Sequence, residues 1–405
     1  LARSLRFLGY TVTHVMNITD VGHPAGDVDE GEDKMEREAK HRGMNTWELA
    51  RALEAEFFAG MEPLHILRPT VCPRATEHIQ EQIALIQALE AKGHTYRISD
   101  GIYFDTATFP AYGALSGQDL AQKSAGARVE MNTDFALWKF SAEPGVRDME
   151  WPSPWGLGFP GWHIECSAMA SKYLGQPFDI HCGGVDHIAV HHENEIAQSE
   201  AATGEPLARY WLHNEFLLIN GGRMGKSLGN AYTLDNVRAK GLDPLAYRWF
   251  VLGAHYRSKL NFTWEGLEAA QHALDRLKHA VLAWGEEAGE PIAAVLDEFQ
   301  AALEEDLNTP KALAVMWELV KSEASPVDKR ATLMRMDEVL GMGVASWKAE
   351  ELSIPDEIQQ LAEARFQARR AKNWAESDRL REELHVRGWN MEDGTDAYTL
   401  KKKES

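Results

Sequence analysis

The spacing of apolar residues changes between helical and strand periods from the start of the chain. Leu1, Leu5 and Leu8 recur at helical spacing, and Gly9 is a good helix terminator. The segment Thr11–Ile18 then predicts a buried strand. A helix that leads into a strand of a parallel sheet is the second half of a β-α-β unit. We therefore expect an α/β fold whose first strand lies upstream of Leu1, on a part of the protein that this chain lacks.

The rest of the pattern predicts helices separated by short strands. Asp100-Gly101 is a typical hairpin turn, so His94–Asp105 is predicted to form two strands. Residues 106–158 are rich in Gly, Pro and Trp and are predicted to form an insertion with a small fold of its own. Phe216–Ile219 predicts another short strand. Helical spacing covers Met35–Arg42, Thr46–Met61, Ala75–Lys92, part of Gly161–Ile180, His192–Ala202, most of Tyr232–Leu340, and Asp356–Arg387.

The composition is that of a globular protein, with 44% hydrophobic and 26% charged residues in a chain of 405. No apolar run is long enough to cross a bilayer. Acidic residues outnumber basic ones by 62 to 42, and the net charge of −20 argues against a protein that coats DNA through a broad basic surface. The three cysteines, Cys72, Cys166 and Cys182, are too few for a disulfide framework and favour a reducing cytoplasm.

Residue types that bind zinc occur in two short segments. Cys166 follows Gly161 closely, and His191 and Glu195 are four residues apart, so they share one face of a helix. A thiolate, an imidazole and a carboxylate can converge on Zn²⁺. From these residues alone, a buried structural cysteine beside a solvated polar helix is an equally good interpretation.

A glycine-rich segment, Asn220–Asn230, contains the pair Lys226-Ser227, and phosphate binding requires residues of this kind. It is not a Walker A loop, because Gly221 and Gly225 enclose three residues and that motif requires four. A flexible surface loop remains the alternative interpretation.

A second glycine pair lies in Asp179–Asp186. Gly183 and Gly184 follow a predicted strand and permit close approach of the backbone to a nucleotide. The surrounding histidines are unusually dense for an ordinary core, at positions 163, 181, 187, 191 and 192.

Taken together, these segments resemble the cysteinyl-tRNA synthetases, a family of class I aminoacyl-tRNA synthetases. The resemblance covers essentially the whole chain, and its motifs follow one another in the family's order. Arg223–Ser227 stands where the family has Lys-Met-Ser-Lys-Ser. The other matching segments are Asn17–Asp20, Pro73–His78, Gly126–Val129, Phe135–Lys139, Gly161–Cys166, His191–Ser199 and Asp306–Pro310.

The resemblance implies an α/β fold: a class I Rossmann-type catalytic domain with an insertion, followed by a helical bundle and a small C-terminal anticodon-binding domain. The basic segment Ala364–Lys372 and the neighbouring Trp374 fit a tRNA partner. The implied boundaries are 1–95 and 159–225 for the two parts of the Rossmann domain, 96–158 for the connective insertion, 226–264 for a stem-contact region with the ATP loop, 265–350 for the helical bundle, and 356–405 for the anticodon-binding domain.

The resemblance also implies ATP-dependent ligation of L-cysteine to tRNA(Cys) through cysteinyl-adenylate, by a monomeric cytoplasmic enzyme with one Zn²⁺ per subunit and Mg²⁺ alongside ATP. Cys166, His191 and Glu195 would be three of four protein ligands of a zinc ion that binds the substrate thiolate. Lys226 and Ser227 would act on the phosphates of ATP. The further implied contacts are Thr19, Trp162 and Asp186 with the amino acid, and Arg223, Met224, Lys226, Gly183 and Gly184 with ATP.

The sequence departs from the family's pattern at three places. The His-Ile-Gly-His motif and the fourth zinc ligand, a cysteine, would lie upstream of Leu1, so this chain by itself is expected to bind zinc poorly and to activate cysteine badly. Arg223 and Gly225 replace Lys and Ser in the ATP loop, and Cys182 replaces a Gly beside the nucleotide. Lys226 is retained, so we expect the last two departures to be tolerated.

Two other functions share part of this pattern. A related ligase joins cysteine to an amino sugar with the same zinc and ATP chemistry, but it has no anticodon module, so residues 356–400 argue against it. A zinc-binding paralogue without ligase activity is the other alternative, and the Lys226-Ser227 pair favours an enzyme instead.

Overall fold

The structure is a computed structural model that describes residues 1–22, 34–117, 133–143, 145, 147–225, 228–348, 354–394 and 397–402. These residues form two compact units, Leu1–Trp347 and Lys348–Ser405. Within the described part of the chain, none of the helices combines the length and the apolar character needed to cross a membrane.

Among the described residues, four α-helices precede the first regular strand. The first ends before Gly9, whose φ of 89° is a conformation that favours glycine, as predicted. The third begins at the predicted residue, Thr46, and its N-cap is Asn45, whose side chain accepts a hydrogen bond from the Glu48 amide. The four helices are α1 (Ala2–Phe7), α2 (Lys34–Arg42), α3 (Thr46–Met61) and α4 (Ile79–Ala91).

The predicted buried strand at Thr11–Ile18 is wrong as a regular element. The segment is extended and only half-buried, with isolated parallel bridges from Val15 to Val71 and from Ile18 to Arg74. Backbone hydrogen bonds on both sides follow the parallel pattern, including Met16 N to Val71 O at 3.0 Å. Pro73 has no N–H to donate, so the ladder lacks a rung in its middle.

An antiparallel sheet follows, and it shares its core with the helices. The predicted hairpin is confirmed, but its two turn residues are Ser99 and Asp100, because Gly101 pairs with Ile98 as the first residue of the second strand. Trp138 and Phe104 share one hydrophobic core with Ile86 of α4, so the described residues of the predicted insertion pack together with the helices. The strands lie in the order β1-β2-β3-β5-β4 and are β1 (Thr95–Ile98), β2 (Gly101–Phe104), β3 (Phe135–Phe140), β4 (Trp151–Ser153) and β5 (Gly156–Pro160).

A parallel strand pair with a helical crossover carries the histidine-rich segment. Phe178 pairs with Ala208 at one end, and Gly184 pairs with Asn214 at the other. The strand at 208–214 is absent from the elements predicted by the sequence. The elements are α5 (Trp162–Leu174), β6 (Phe178–Gly184), α6 (His191–Thr203) and β7 (Ala208–Asn214).

A three-stranded sheet and two helices lead out of this region. Its central strand is parallel to one edge strand, with Leu217 opposite Leu260, and antiparallel to the other. Ile219, Val237 and Phe262 are buried together. The elements are β8 (Leu217–Ile219), β9 (Gly222–Arg223), α7 (Leu234–Ala239), α8 (Pro244–Leu252) and β10 (Leu260–Phe262).

The predicted helices of the bundle are confirmed. Leu277, Phe299, Met316 and Met336 are fully buried in its core. At its end, the guanidinium of Arg248 donates to carbonyl oxygens of the last helix and of residue 64, which joins the bundle to the rest of the first unit. The helices are α9 (Trp264–Ala283), α10 (Ala293–Glu304), α11 (Thr309–Lys321) and α12 (Pro326–Leu340).

The second unit is a helical hairpin with a two-stranded antiparallel sheet. Ile358, Leu384 and Leu400 form its core. The buried guanidinium of Arg365 makes two hydrogen bonds to the Asp393 carboxylate, at 2.6 and 2.9 Å. The elements are α13 (Asp356–Arg370), α14 (Trp374–Val386), β11 (Trp389–Asp393) and β12 (Tyr398–Lys402).

Candidate metal centre and nucleotide loop

The three predicted zinc ligands meet between two helices. Cys166 lies in the second turn of α5, and His191 and Glu195 lie one turn apart at the start of α6. Their ligating atoms lie within 4.8 Å of one another. His191 Nε2 is 3.4 Å from Glu195 Oε2. The helical spacing read from the sequence therefore brings sulfur, nitrogen and oxygen donors together.

A second group of donors shares the same glutamate. The ligating atoms of His181 and His192 also lie within 4.8 Å of one another and of a Glu195 oxygen. His181 Nε2 is 2.9 Å from Glu195 Oε2, and His192 Nδ1 is 2.8 Å from His213 Nε2. Glu195 is thus the acceptor around which this cluster of rings is arranged.

Glu195 is an ionised carboxylate in a buried position. Burial by itself would raise its pKa, but electrostatic attraction to the neighbouring His181 and His191 rings lowers that pKa below its usual range. Burial lowers the pKa of His181, but the attraction of the Glu195 carboxylate is the larger effect, so the pKa of His181 is raised above its usual value. Burial lowers the pKa of His192 to about 3, so this ring is neutral near pH 7.

The thiol of Cys166 is neutral unless a cation stabilises its charge. Burial raises the pKa of Cys166 well above that of an ordinary cysteine, and the carboxylates of Glu195 and Glu165 raise it further. A bound metal ion reverses this balance, because a coordinating thiol is deprotonated outright.

The donor set fits a zinc ion. One sulfur, one imidazole nitrogen and one carboxylate oxygen are the ligands that Zn²⁺ prefers. Glu195 Oε1 is buried and has no hydrogen-bond partner in the described part of the chain. An unpaired buried carboxylate oxygen is costly, and a cation would satisfy it.

Two of the three residues predicted to line the amino-acid pocket, Trp162 and Thr19, lie beside this cluster. The ring centroid of Trp162 lies 4.4 Å from that of His191. Thr19 is exposed, and its hydroxyl oxygen accepts a hydrogen bond from Asn17 Nδ2, which also contacts Cys166 Sγ at 3.3 Å. Asp186 follows β6, and a Cβ built on Gly184 would collide with Asp186 Oδ1.

Gly183 provides space for the histidine rings. A Cβ built on it would lie 2.6 Å from the His192 ring and 2.8 Å from His187 Nδ1. Any side chain here would therefore collide with the rings beside the candidate metal ligands. This packing role stands beside the predicted approach of the Gly183 and Gly184 backbone to ATP, which remains a prediction.

We expect Gly183→Ala to destabilise the protein by about 1–3 kcal/mol, because the added methyl group overpacks the cluster. Zinc content should fall as His192 and its neighbours are displaced. Urea unfolding and metal analysis measure both effects. Gly60→Ala is a matched control, since nothing lies within 4 Å of a Cβ at that helical position. Equal stability of the two variants would contradict the packing role.

The predicted ATP loop is described only at its ends. Arg223 and Met224 are exposed, whereas Lys226 and Ser227 lie outside the described residues. The Asn230 side chain joins the two sides of the loop: its Oδ1 accepts from the Gly225 amide at 2.8 Å, and its Nδ2 donates to the carbonyl oxygen of Arg223 at 2.9 Å. The matching segment 126–129 also lies outside the described residues.

Comparisons with known proteins identify the family to which this chain is related. Residues 1–272 match the family described as tRNA synthetases class I (C) catalytic domain, and residues 298–342, within the helical bundle, match the DALR domain. "Cysteine--tRNA ligase 1" of Burkholderia lata is 50% identical over 99% of this chain and 86% of its own length. The chain belongs to the cysteine–tRNA ligase family. The family, the fold class and the enzyme class predicted from the sequence are confirmed.

Other relatives and solved structures place the fold in the same class. The cysteine–tRNA ligases of Treponema denticola and Thermus thermophilus are 43% and 42% identical and cover 99% and 97% of this chain, and 90% and 87% of their own lengths. The structure of Mycobacterium tuberculosis methionyl-tRNA synthetase in complex with methionyl-adenylate aligns with a TM-score of 0.55 at 17% identity, over 85% of this chain and 84% of that one. The likeness to the methionyl-tRNA synthetase structure concerns the fold alone.

Proposed function

We propose that this member of the cysteine–tRNA ligase family activates L-cysteine with ATP to cysteinyl-adenylate and transfers the cysteinyl group to tRNA(Cys), with zinc selecting the substrate thiolate. One observation carries the zinc assignment: Cys166, His191 and Glu195, from two helices, present their donor atoms within 4.8 Å of one another around a buried carboxylate. These donors would be three of the four protein ligands that the resemblance implies.

Zinc at this site would supply a Lewis acid that favours the thiolate form of the substrate. A free cysteine thiol has a pKa of about 8.5, within reach of a metal, whereas a serine hydroxyl is far less acidic and binds zinc poorly. Cysteine and serine have nearly the same size, so a pocket that discriminates by shape alone would separate them weakly. Ligand chemistry thus provides the selectivity that packing cannot provide.

The residues around the metal centre are assigned to the rest of the amino acid and to ATP. Trp162 provides an apolar wall beside His191, and Thr19 and Asp186 provide polar groups for the amino acid. The remaining contacts belong to ATP, which binds with Mg²⁺, and are assigned to Gly183, Gly184, Arg223, Met224, Lys226 and Ser227.

The tRNA is assigned to the residues after the Rossmann domain. Residues 226–264 would contact the stem, 265–350 would form the supporting bundle, and 356–405 would bind the anticodon. Arg369 and Trp374 are exposed on the second unit, and exposed aromatic and guanidinium groups stack on unpaired bases. We expect a monomer that works in the cytoplasm.

The metal assignment is tested by replacing single ligands in the full-length enzyme. Cys166→Ala and His191→Ala should each lose zinc wholly or almost wholly and, with it, cysteine-dependent ATP–pyrophosphate exchange. Cys72→Ala is the matched control: this thiol belongs to neither donor group, so zinc content and exchange should stay at the parental level. Full zinc occupancy in both ligand variants would refute the assignment.

A further inference from the structure

The side chain of Asn17 lies between two groups of the proposed site. Its Nδ2 is 3.3 Å from Cys166 Sγ and 3.1 Å from Thr19 Oγ1. The backbone holds this position from both sides, because Met16 N donates to Val71 O at 3.0 Å and Ile18 N donates to the carbonyl oxygen of residue 73 at 2.8 Å. Asn17 therefore presents its amide to Cys166 from an anchored segment.

We propose that Asn17 is a positioning residue that donates an N–H···S hydrogen bond to the Cys166 thiolate when zinc is bound, an inference that rests on the proposed function. A thiolate can accept hydrogen bonds but cannot donate them, so the NH₂ edge of the amide must face it. Hydrogen bonds to metal ligands fix the orientation of those ligands and tune the metal. Here the bond would also stabilise negative charge on a buried sulfur that two carboxylates destabilise.

The contact of Asn17 with Thr19 extends this role towards the amino-acid pocket. One amide proton of Nδ2 can go to Cys166 Sγ and the other to Thr19 Oγ1. A hydroxyl oxygen that accepts this bond turns its own proton away from Asn17, so the proton is available to a ligand on the exposed side of Thr19. A single amide would thus fix a zinc ligand and orient a substrate-facing hydroxyl.

The test uses Asn17→Ala and Asn17→Asp in the full-length enzyme. Zinc affinity is measured by competition with a chromophoric chelator, and the thiolate-to-metal charge-transfer band is recorded after substitution with Co²⁺. Asn17→Ala should weaken zinc binding by about 10–100-fold, the usual effect of losing an outer hydrogen bond to a metal ligand. The band should move to lower energy, because the sulfur lone pairs lose a stabilising donor. Asn17→Asp should weaken binding further, since its carboxylate would face the thiolate.

The control variant is Thr19→Val, which removes the other partner of Asn17 and keeps the bond to Cys166. Zinc affinity and the cobalt band should match the parent in this variant. The proposal is overturned if Asn17→Ala leaves the cobalt band unmoved, or if Thr19→Val weakens zinc as much as Asn17→Ala does, because either result would mean that Asn17 only supports the fold.

Failure of the wider function has a different outcome. If the parent enzyme itself bound neither zinc nor Co²⁺, the metal centre would be refuted together with this role of Asn17. If the parent bound metal normally and the Asn17 variants matched it in zinc affinity and in the cobalt band, the proposed function would stand and this inference alone would fail. Melting of the metal-free variants identifies any that do not fold, and the nearly isosteric Asn17→Asp then provides the decisive comparison.

Discussion

Replacing Glu195 with alanine is expected to abolish zinc binding and, with it, cysteine-dependent ATP–pyrophosphate exchange. Glu195 is fully buried and is the only residue that belongs to both donor groups found among the described residues. Its loss removes a ligand and also the carboxylate that raises the pKa of His181, so this ring should become neutral at a lower pH. Metal analysis, the exchange rate and an NMR titration of the histidines measure these effects.

Glu195→Gln separates charge from shape in the same experiment. The amide keeps the size of the side chain but has no negative charge, so zinc should bind far more weakly than in the parent. Glu193→Gln is the matched control, because Glu193 is buried on the same helix but accepts hydrogen bonds from the backbone amides of Gly113 and Ser116. We expect this control to lose stability and keep zinc. Equal zinc loss in the Glu193 and Glu195 variants would point to collapse of α6 instead of removal of a ligand.

The helices could be predicted from the sequence because their signals are local. Helix α3 begins at Thr46 and ends at Met61, as predicted. Gly9 terminates α1, and the hairpin between β1 and β2 forms within one residue of the predicted turn. In each case the residues that determine the element lie within it or next to it.

The strands depend on partners that are distant in sequence, and this is where the prediction failed. Pro73 interrupts the ladder between residues 14–18 and 70–75. The sequence of residues 14–18 gives no sign of this gap, because the proline lies in the partner segment. The strand β7 is only half-buried and mixes Tyr and Trp with Arg and His, so its pattern has no clear period. Its aromatic content was the one available signal.

The residues of the candidate site also differ in whether a local sequence signal predicts them. The spacing of His191 and Glu195 predicted a shared helix face, and the residue type of Cys166 made it a candidate third donor; the structure brings the three together. Nothing local marked Asn17 as the neighbour of Cys166, which is 149 residues away along the chain. The part played by His213 was hidden as well, because it depends on the undetected strand β7.

The largest expected effect outside the metal centre concerns Lys226 in the predicted ATP loop. Lys226 lies in the segment that stands where the family has its Lys-Met-Ser-Lys-Ser motif, and the described ends of this loop are joined by the Asn230 side chain. An ammonium held near the phosphates can stabilise negative charge as it shifts towards pyrophosphate. It has no reason to contact the thiol, which the metal site is proposed to bind. We therefore expect Lys226 to act in adenylate formation and not in cysteine binding.

Lys226→Ala in the full-length enzyme should lower cysteine-dependent ATP–pyrophosphate exchange by roughly 10²–10³-fold, as for the loss of one preorganised transition-state donor. Apparent cysteine affinity and zinc content should change little. Lys172→Ala, which removes an exposed lysine paired with Glu81, should leave exchange at the parental rate. Gly225→Ser, which restores the family's residue, should have a smaller effect than Lys226→Ala. If Lys226→Ala instead kept parental exchange while weakening cysteine binding, Arg223–Ser227 would not be the phosphate loop, and the resemblance in that segment would be misleading.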